Sequence, residues 1–259
     1  MWKIYDELIA GIKEDIVVED YVYGGHFSMI RAGEYNGVAH SFGNPTRPWM
    51  YSCELRGRTL KDVARGVKSW NLEEATMGMC AINAYYNSRE HITKLGLDYF
   101  TNGESCKQAR EKNDPFNNPE EAMKGKYVAV IGHFPHIEEQ LKAICDLHVL
   151  ELSPRAGDYP ASACEDLIPK ADYVFATGMT FGNKTIPRLL ELRKKDAKFS
   201  IVGPSGPITP VLFDHGVTRI SSYVVTDPEF VFDVIKNNKR GMFSGGKMIE
   251  YDITERNDK

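Results

Sequence analysis

No apolar run in this sequence approaches the roughly 20 residues needed to cross a bilayer. Apolar stretches such as Val128 to Ile131 and Tyr173 to Ala176 are only four residues each. Cysteine is also sparse: five in 259 residues, Cys53, Cys80, Cys106, Cys145 and Cys164, an odd number with no Cys-x-x-Cys pair. That argues against a disulfide framework and for a reducing compartment. An excess of one charge is missing as well, with 32 Lys and Arg against 36 Asp and Glu and a net charge of -4. The basic residues are scattered among acids, so no polyanion-binding field arises and nucleic acid is not an expected partner. The start, Met1 to Glu7, carries early acids and no long apolar region, which does not read as a signal peptide. The sequence predicts a cytoplasmic protein that makes no use of a membrane.

Three nucleotide and hydrolase fingerprints are absent too: G-x-G-x-x-G, the P-loop G-x-x-x-x-G-K-[ST] and the nucleophile elbow G-x-S-x-G. What is present is an ordinary globular composition, 42% hydrophobic and 26% charged. A chain of this length suits two modest cores, since single cores stop growing near 250 residues.

The first dozen residues place Ile4, Tyr5, Leu8, Ile9 and Ile12 at helical spacing. Short β-favouring runs follow at Ile16 to Val18, Tyr21 to Tyr23, Phe27 to Ile30 and Val38 to His40. Asn36-Gly37 predicts a hairpin turn in a small antiparallel meander, because both residues adopt positive φ cheaply. Thr59 and Asn71 are placed to cap two helices, one striped by Leu60, Val63, Ala64 and Val67, the other by Ala75, Met79, Ile82, Asn83 and Tyr86. This first part is an α+β unit. Residues 101–126 carry Asn102-Gly103, Asn113-Asp114-Pro115 and Asn117-Asn118-Pro119, with little apolar periodicity, and read as a linker or surface excursion.

Beyond it, strands at Tyr127 to Ile131, Val149 to Leu152, Asp172 to Ala176, Phe199 to Val202 and Ile220 to Val225 alternate with helices at Pro135 to Ile144, Ile186 to Lys195 and Pro228 to Asn237. Continuous apolar strands alternating with helices predict a doubly wound parallel sheet. In such a sheet, ligands bind beyond the carboxyl ends of the strands. The expected fold class is α/β, with units at 1–110 and 111–259.

The strand ends supply the candidate site. After the first strand come Gly132, His133, Phe134, Pro135 and His136, with Pro135 suited to the first helical turn. The two histidines there serve as a cap and a solvated group, bind an anion at the helix start, or ligate a metal. Glu151 closes the second strand, Asp158 and Tyr159 sit in the turn beyond it, and Cys164 lies in a loop-like stretch where a thiol can face a pocket. Cys80 and Cys145 lie within apolar helical patterns and read as core. Thr177, Thr180, Asn183, Lys184 and Thr185 follow the third strand; the hydroxyls and the amide cap a helix or line a pocket, and Lys184 offers a cation. Gly203, Pro204 and Ser205 end the fourth strand, either as a sharp turn or as a place where a ligand meets the main chain. Ser205 reads as a binding group and not a nucleophile.

At Lys68 to Asn71, Ala81 to Asn87, Gly132 to His136, Gly157 to Pro160 and Val202 to Pro204 the sequence resembles the heavy-metal-chelation family, over nearly the whole chain. The resemblance implies an enolase-N-terminal-like α+β domain fused to a Rossmann-like domain, a homodimer, and a cleft between domains that takes a metal or a metal-bearing organic ligand. The residues offer a compatible mixed donor set in His133, His136, Glu151, Asp158 and Cys164, suited to a transition metal of borderline softness. Asn83 either reaches the cleft or is a buried structural amide. A rival expectation is a transferase that uses a nucleotide or S-adenosylmethionine-like ligand in the same crevice, with Glu151 accepting from ribose hydroxyls. A structural dimeric scaffold is the third.

Overall fold

The computed structural model describes residues 1–43, 46–97, 103–116 and 121–256. Of the expected linker, Thr101, Asn102 and Asn117-Asn118-Pro119 lie outside the described residues. Helix α1 (Lys3–Ala10) buries Ile4, Tyr5, Leu8 and Ile9 along one face, as their spacing requires. A three-stranded antiparallel sheet follows in the order β1 (Asp20–Val22), β2 (Phe27–Ala32), β3 (Tyr35–His40).

The hairpin turn is not at Asn36-Gly37. Ala32 pairs with Tyr35, which leaves Gly33 and Glu34 as the turn, with Gly33 at φ 63°. Gly37 lies inside β3 for a packing reason. A Cβ there would come within 2.1 Å of the Ala84 main-chain nitrogen and 2.2 Å of the Cys80 carbonyl oxygen, so the glycine lets a helix lie directly on the sheet.

That helix is α3 (Leu72–Tyr86), preceded by α2 (Leu60–Ala64) and followed by α4 (Arg89–Lys94). Thr59 Oγ1 accepts from the Asp62 N–H, and Asn71 Oδ1 accepts from Glu73 and Glu74, so both caps form as the sequence predicts. The expected linker is not all irregular. Ser105 and Gln108 form a reciprocal capping box that starts α5 (Cys106–Lys112), and Asn113 Nδ2 then donates to the Met248 carbonyl at 2.7 Å. The division expected between residues 110 and 111 falls inside this helix.

The second part contains β4 (Tyr127–Ile131), α6 (Ile137–Leu141), β5 (Asp146–Glu151), β6 (Tyr159–Pro160), α7 (Cys164–Leu167), β7 (Tyr173–Thr177), α8 (Met179–Gly182), α9 (Ile186–Leu192), β8 (Lys198–Val202), α10 (Val211–Asp214), β9 (Arg219–Val225), α11 (Pro228–Lys236) and β10 (Gly246–Asp252). Its seven strands run β10-β9-β8-β7-β4-β5-β6, parallel except for β10 on β9. Val128 and Val130 of β4 enter one apolar cluster with Ile137 and Leu141, while Ala129 enters another that reaches back to Ile4 and Leu8. Both faces of the sheet are therefore covered, which explains why its strands read as continuous apolar runs. The chain passes from β4 to β5 on one side and returns to β7 on the other, which puts the reversal of strand order at the ends of β4 and β7.

Helix α6 starts later than Pro135 and stops before Ile144. His136, at its start, has φ 62° and ψ 12°, a left-handed conformation that a helical first turn does not contain. Pro135 thus lies ahead of the helix, and the expected anion site at a helix beginning with Pro135 does not form.

Candidate functional site

A cavity of about 970 Å³ opens at the carboxyl ends of β4, β7 and β8, where it is also walled by residues from the first sheet and from α5. Gly132, His133 and Phe134 come from the end of β4, Thr177 from β7, Gly203 to Ser205 from β8, and His40 from the end of β3. Two glycines let these loops close on one another. A Cβ on Gly132 would meet Thr177 Cγ2 at 3.0 Å and one on Gly178 would meet the Gly206 nitrogen at 2.5 Å. The first sheet is tied to this rim through Ser205 Oγ, which accepts from the His40 N–H at 2.8 Å.

His133 is held at two points. Its main-chain N–H donates to Glu151 Oε2 at 2.9 Å, and its Nδ1 lies 3.1 Å from both Asp158 oxygens. The Asp158 side chain is 1% exposed and also accepts from the Arg155 N–H. Because the carboxylate only accepts, Nδ1 carries the proton, so in the neutral ring the lone pair is on Nε2. Nε2 has no hydrogen-bond partner among the described residues. A buried carboxylate behind an imidazole is the arrangement that orients a metal ligand or a proton-transfer group.

The other expected residues separate into groups. His136, Glu151, Thr177, Asn183, Lys184, Gly203, Pro204, Ser205 and Cys164 line the cavity with His133, Gly132 and Phe134. Asn83, Asp158 and Tyr159 do not. Asn83 Nδ2 donates to the carbonyls of Val38 and Pro204, binding α3 to both parts of the chain. Tyr159 is exposed and its ring stands 5.6 Å from that of His148. His136 is 73% exposed in its side chain and, among the described residues, pairs with Glu139 alone. Each Glu151 oxygen already accepts a main-chain N–H, from His133 and from Leu152, so this acid first serves to brace its own loop. Asn183 Oδ1 accepts from the Thr185 N–H and hydroxyl, turning the chain into α9.

Lys184 is 3% exposed, has φ 66°, and donates from Nζ to the Gly182 carbonyl. Burial lowers its ammonium pKa to about 8, against a smaller opposing pull from Glu74. Cys164 begins α7, and burial, with the nearby Glu165 charge, raises its thiol pKa.

Among the described residues, His133, Glu138 and Asp158 present ligand atoms that all lie within 4.8 Å of one another. This imidazole and carboxylate set fits a borderline divalent ion better than a strongly thiophilic one, and Cys164 lies outside it. Glu138, His40 and Arg110 were not expected at the site. No local pattern marks them: Glu138 is one of two adjacent acids on α6, His40 ends a β-run, and Arg110 sits in a segment that reads as linker.

The two parts of the chain each match a family model described as "Putative heavy-metal chelation", DUF4213 over residues 5–86 and DUF364 over residues 114–251. The chain belongs to the DUF364 family. A DUF364 protein of unknown function from Desulfitobacterium hafniense is 40% identical, with a TM-score of 0.88 over 97% of this chain and 98% of that one. A DUF364 structure from Pyrococcus horikoshii, 20% identical with a TM-score of 0.74 over 96% of this chain and 98% of its own, shares the fold. An uncharacterised protein of Methanocaldococcus jannaschii is 26% identical over 256 residues, 94% of this chain and 92% of its own. The family description of both models therefore agrees with a metal-related role.

Proposed function

We propose that the chain binds a transition metal, or an organic anion that carries one, at the carboxyl end of the sheet, with His133 as the imidazole donor. One observation carries this reading: His133 lies in the cavity wall with the Asp158 carboxylate behind its ring and the Glu138 carboxylate close by. Imidazole with carboxylates suits zinc, nickel, cobalt or ferrous iron, and the buried Asp158 keeps the ring in one tautomer and orientation. Support for the nucleotide alternative is weaker, because the acid it needs at the end of β5, Glu151, is engaged by the N–H groups of His133 and Leu152.

The test is elemental analysis of protein purified without an affinity tag or chelator, followed by titration with zinc and cobalt. A near-stoichiometric transition metal in the native protein, lost in His133→Ala, is the expected result. Metal-free protein that takes up neither ion, or metal retained in full by His133→Ala, would overturn the reading.

A further inference from the structure

A bare metal ion leaves most of this cavity unexplained. Its walls carry five phenylalanines, Phe27, Phe42, Phe116, Phe134 and Phe243. Phe27 stands edge-on to Phe243, with centroids 6.1 Å apart, and Phe116 packs on Phe134 at 4.9 Å. Phe27, Phe42, Phe134 and Phe243 are each half-buried in the protein. A volume of about 970 Å³ lies at the upper end of the range for small-molecule pockets, roughly 300–1,000 Å³. Apolar walls on this scale stabilise an organic body and contribute nothing to a hydrated cation.

The charges at the rim show what that body carries. The Arg110 guanidinium lies over the Phe243 ring, 4.6 Å from its centroid. It has no carboxylate partner among the described residues, although it lines the cavity beside Glu111. Glu111 is paired with Lys107, Asp114 accepts from the Phe116 N–H, and Glu151 is engaged by its own loop. The acids of the wall are thus occupied, while a planar fork of donors is held on an aromatic shelf and meets no carboxylate among the described residues. Guanidinium in that setting recognises carboxylate, sulfonate or phosphate by paired hydrogen bonds.

We infer that the occupant of the cavity is an organic acid with a flat, largely apolar body, seated among the phenylalanine rings with its anionic group on Arg110. The inference rests on the cavity being the binding site and deepens the metal reading: the metal arrives on, or is placed into, such an acid at the His133 end. Arg110 is the positioning anion anchor, a role separate from the metal donors.

Calorimetric titration with 2-naphthoate, its uncharged analogue 2-naphthamide, and zinc separates the parts. Naphthoate is expected to bind the wild-type protein at least ten-fold more tightly than naphthamide. Arg110→Met should abolish that difference, leaving naphthamide and zinc affinity within two-fold of wild type, and Arg110→Lys should restore part of it. Because Arg110 is exposed on α5, loss of folding is not a confounding outcome. Phe134→Ala should weaken both aromatic ligands alike. Equal affinity of the two ligands for the wild-type protein, or a preference that survives in Arg110→Met, overturns the inference. Naphthoate binding through Arg110 in a protein that takes up no zinc would sink the metal reading alone, and zinc uptake without an Arg110-dependent preference would sink this one alone.

Discussion

Asp158 holds the His133 ring from behind, with both carboxylate oxygens 3.1 Å from Nδ1 and a side chain only 1% exposed. A buried acid in this position fixes the tautomer and the orientation of the ring. Asp158→Asn keeps the shape and removes the charge, so zinc affinity measured by calorimetry should fall roughly 10–100-fold. His136→Ala should change it less than two-fold, because His136 is exposed and meets only Glu139. Equal losses in the two variants would show that the pair His133-x-x-His136, and not the His133–Asp158 contact, makes the site.

Much of this arrangement was legible in the residues. Strand ends after continuous apolar runs correctly placed Gly132, His133, Thr177 and Gly203 on one side of the sheet, because parallel strands share a direction. Helix caps at Thr59 and Asn71 were equally readable, since their side chains act on N–H groups two or three residues away. Tertiary choices were not. Gly37 carries the local signature of a turn, yet the approach of Ala84 and Cys80 decides its place. Strand β10 pairs antiparallel with β9 through residues whose pattern, Lys247-Met248-Ile249-Glu250-Tyr251, has neither a clean alternation nor a continuous apolar run. Arg110 acquires its role only through Phe243, more than a hundred positions away.

Gly37→Ala should be among the most destabilising single-atom additions in the chain. Its Cβ would press on main-chain atoms of α3 at 2.1 and 2.2 Å, so the helix and not a side chain must move. Overpacking of this kind costs about 3 kcal/mol or more. Gly57→Ala is the matched control: Gly57 has φ 79° and nothing within 4 Å of the added carbon, so only the left-handed backbone penalty of about 1–2 kcal/mol applies. Chemical denaturation of both variants checks the order. A Gly37→Ala cost no larger than that of Gly57→Ala would contradict the close packing of α3 on β3.

His91 should make the fold sensitive to mild acid. Its Nε2 is enclosed without a partner, its ring meets that of Tyr86 edge-on at 5.0 Å, and burial, aided by Lys94 and opposed by Glu90, lowers its pKa to about 4. The folded value lies below the unfolded one near 6.5, so the unfolded chain binds more protons between these limits. The stabilisation is present above pH 6.5 and is lost as pH falls toward 4, by up to about 3 kcal/mol. His91→Phe keeps an aromatic ring and should lose less stability than wild type between pH 7 and 4.5 in thermal unfolding. Parallel pH profiles for the two proteins would rule out His91 as the cause.

Lys184 titrates in the same direction as His91 but in a higher pH window, and should prove a stability cost at neutral pH. Buried and left-handed at φ 66°, its ammonium donates to the Gly182 carbonyl and lies 5.6 Å from the Trp70 ring centroid, with no ion-pair partner among the described residues, and burial lowers its pKa to about 8. Between pH 8 and the unfolded value of 10.5 the unfolded state holds more protons, so stability rises with pH across that window and the penalty is complete below it. Lys184→Met removes the charge and leaves an unbranched side chain one atom shorter. Relief of the buried charge favours the variant by about 3 kcal/mol at pH 7, and loss of the bond to Gly182 and of the contact with the Trp70 ring returns about 1–2 kcal/mol of this. The variant should therefore unfold at a higher temperature than wild type at pH 7, and the advantage should disappear by pH 10. A variant that is less stable at both pH values would mean the ammonium is compensated in the folded protein. A protein that keeps a left-handed and desolvated lysine on the wall of this cavity gives up stability there, as expected where the cation serves the cavity's occupant.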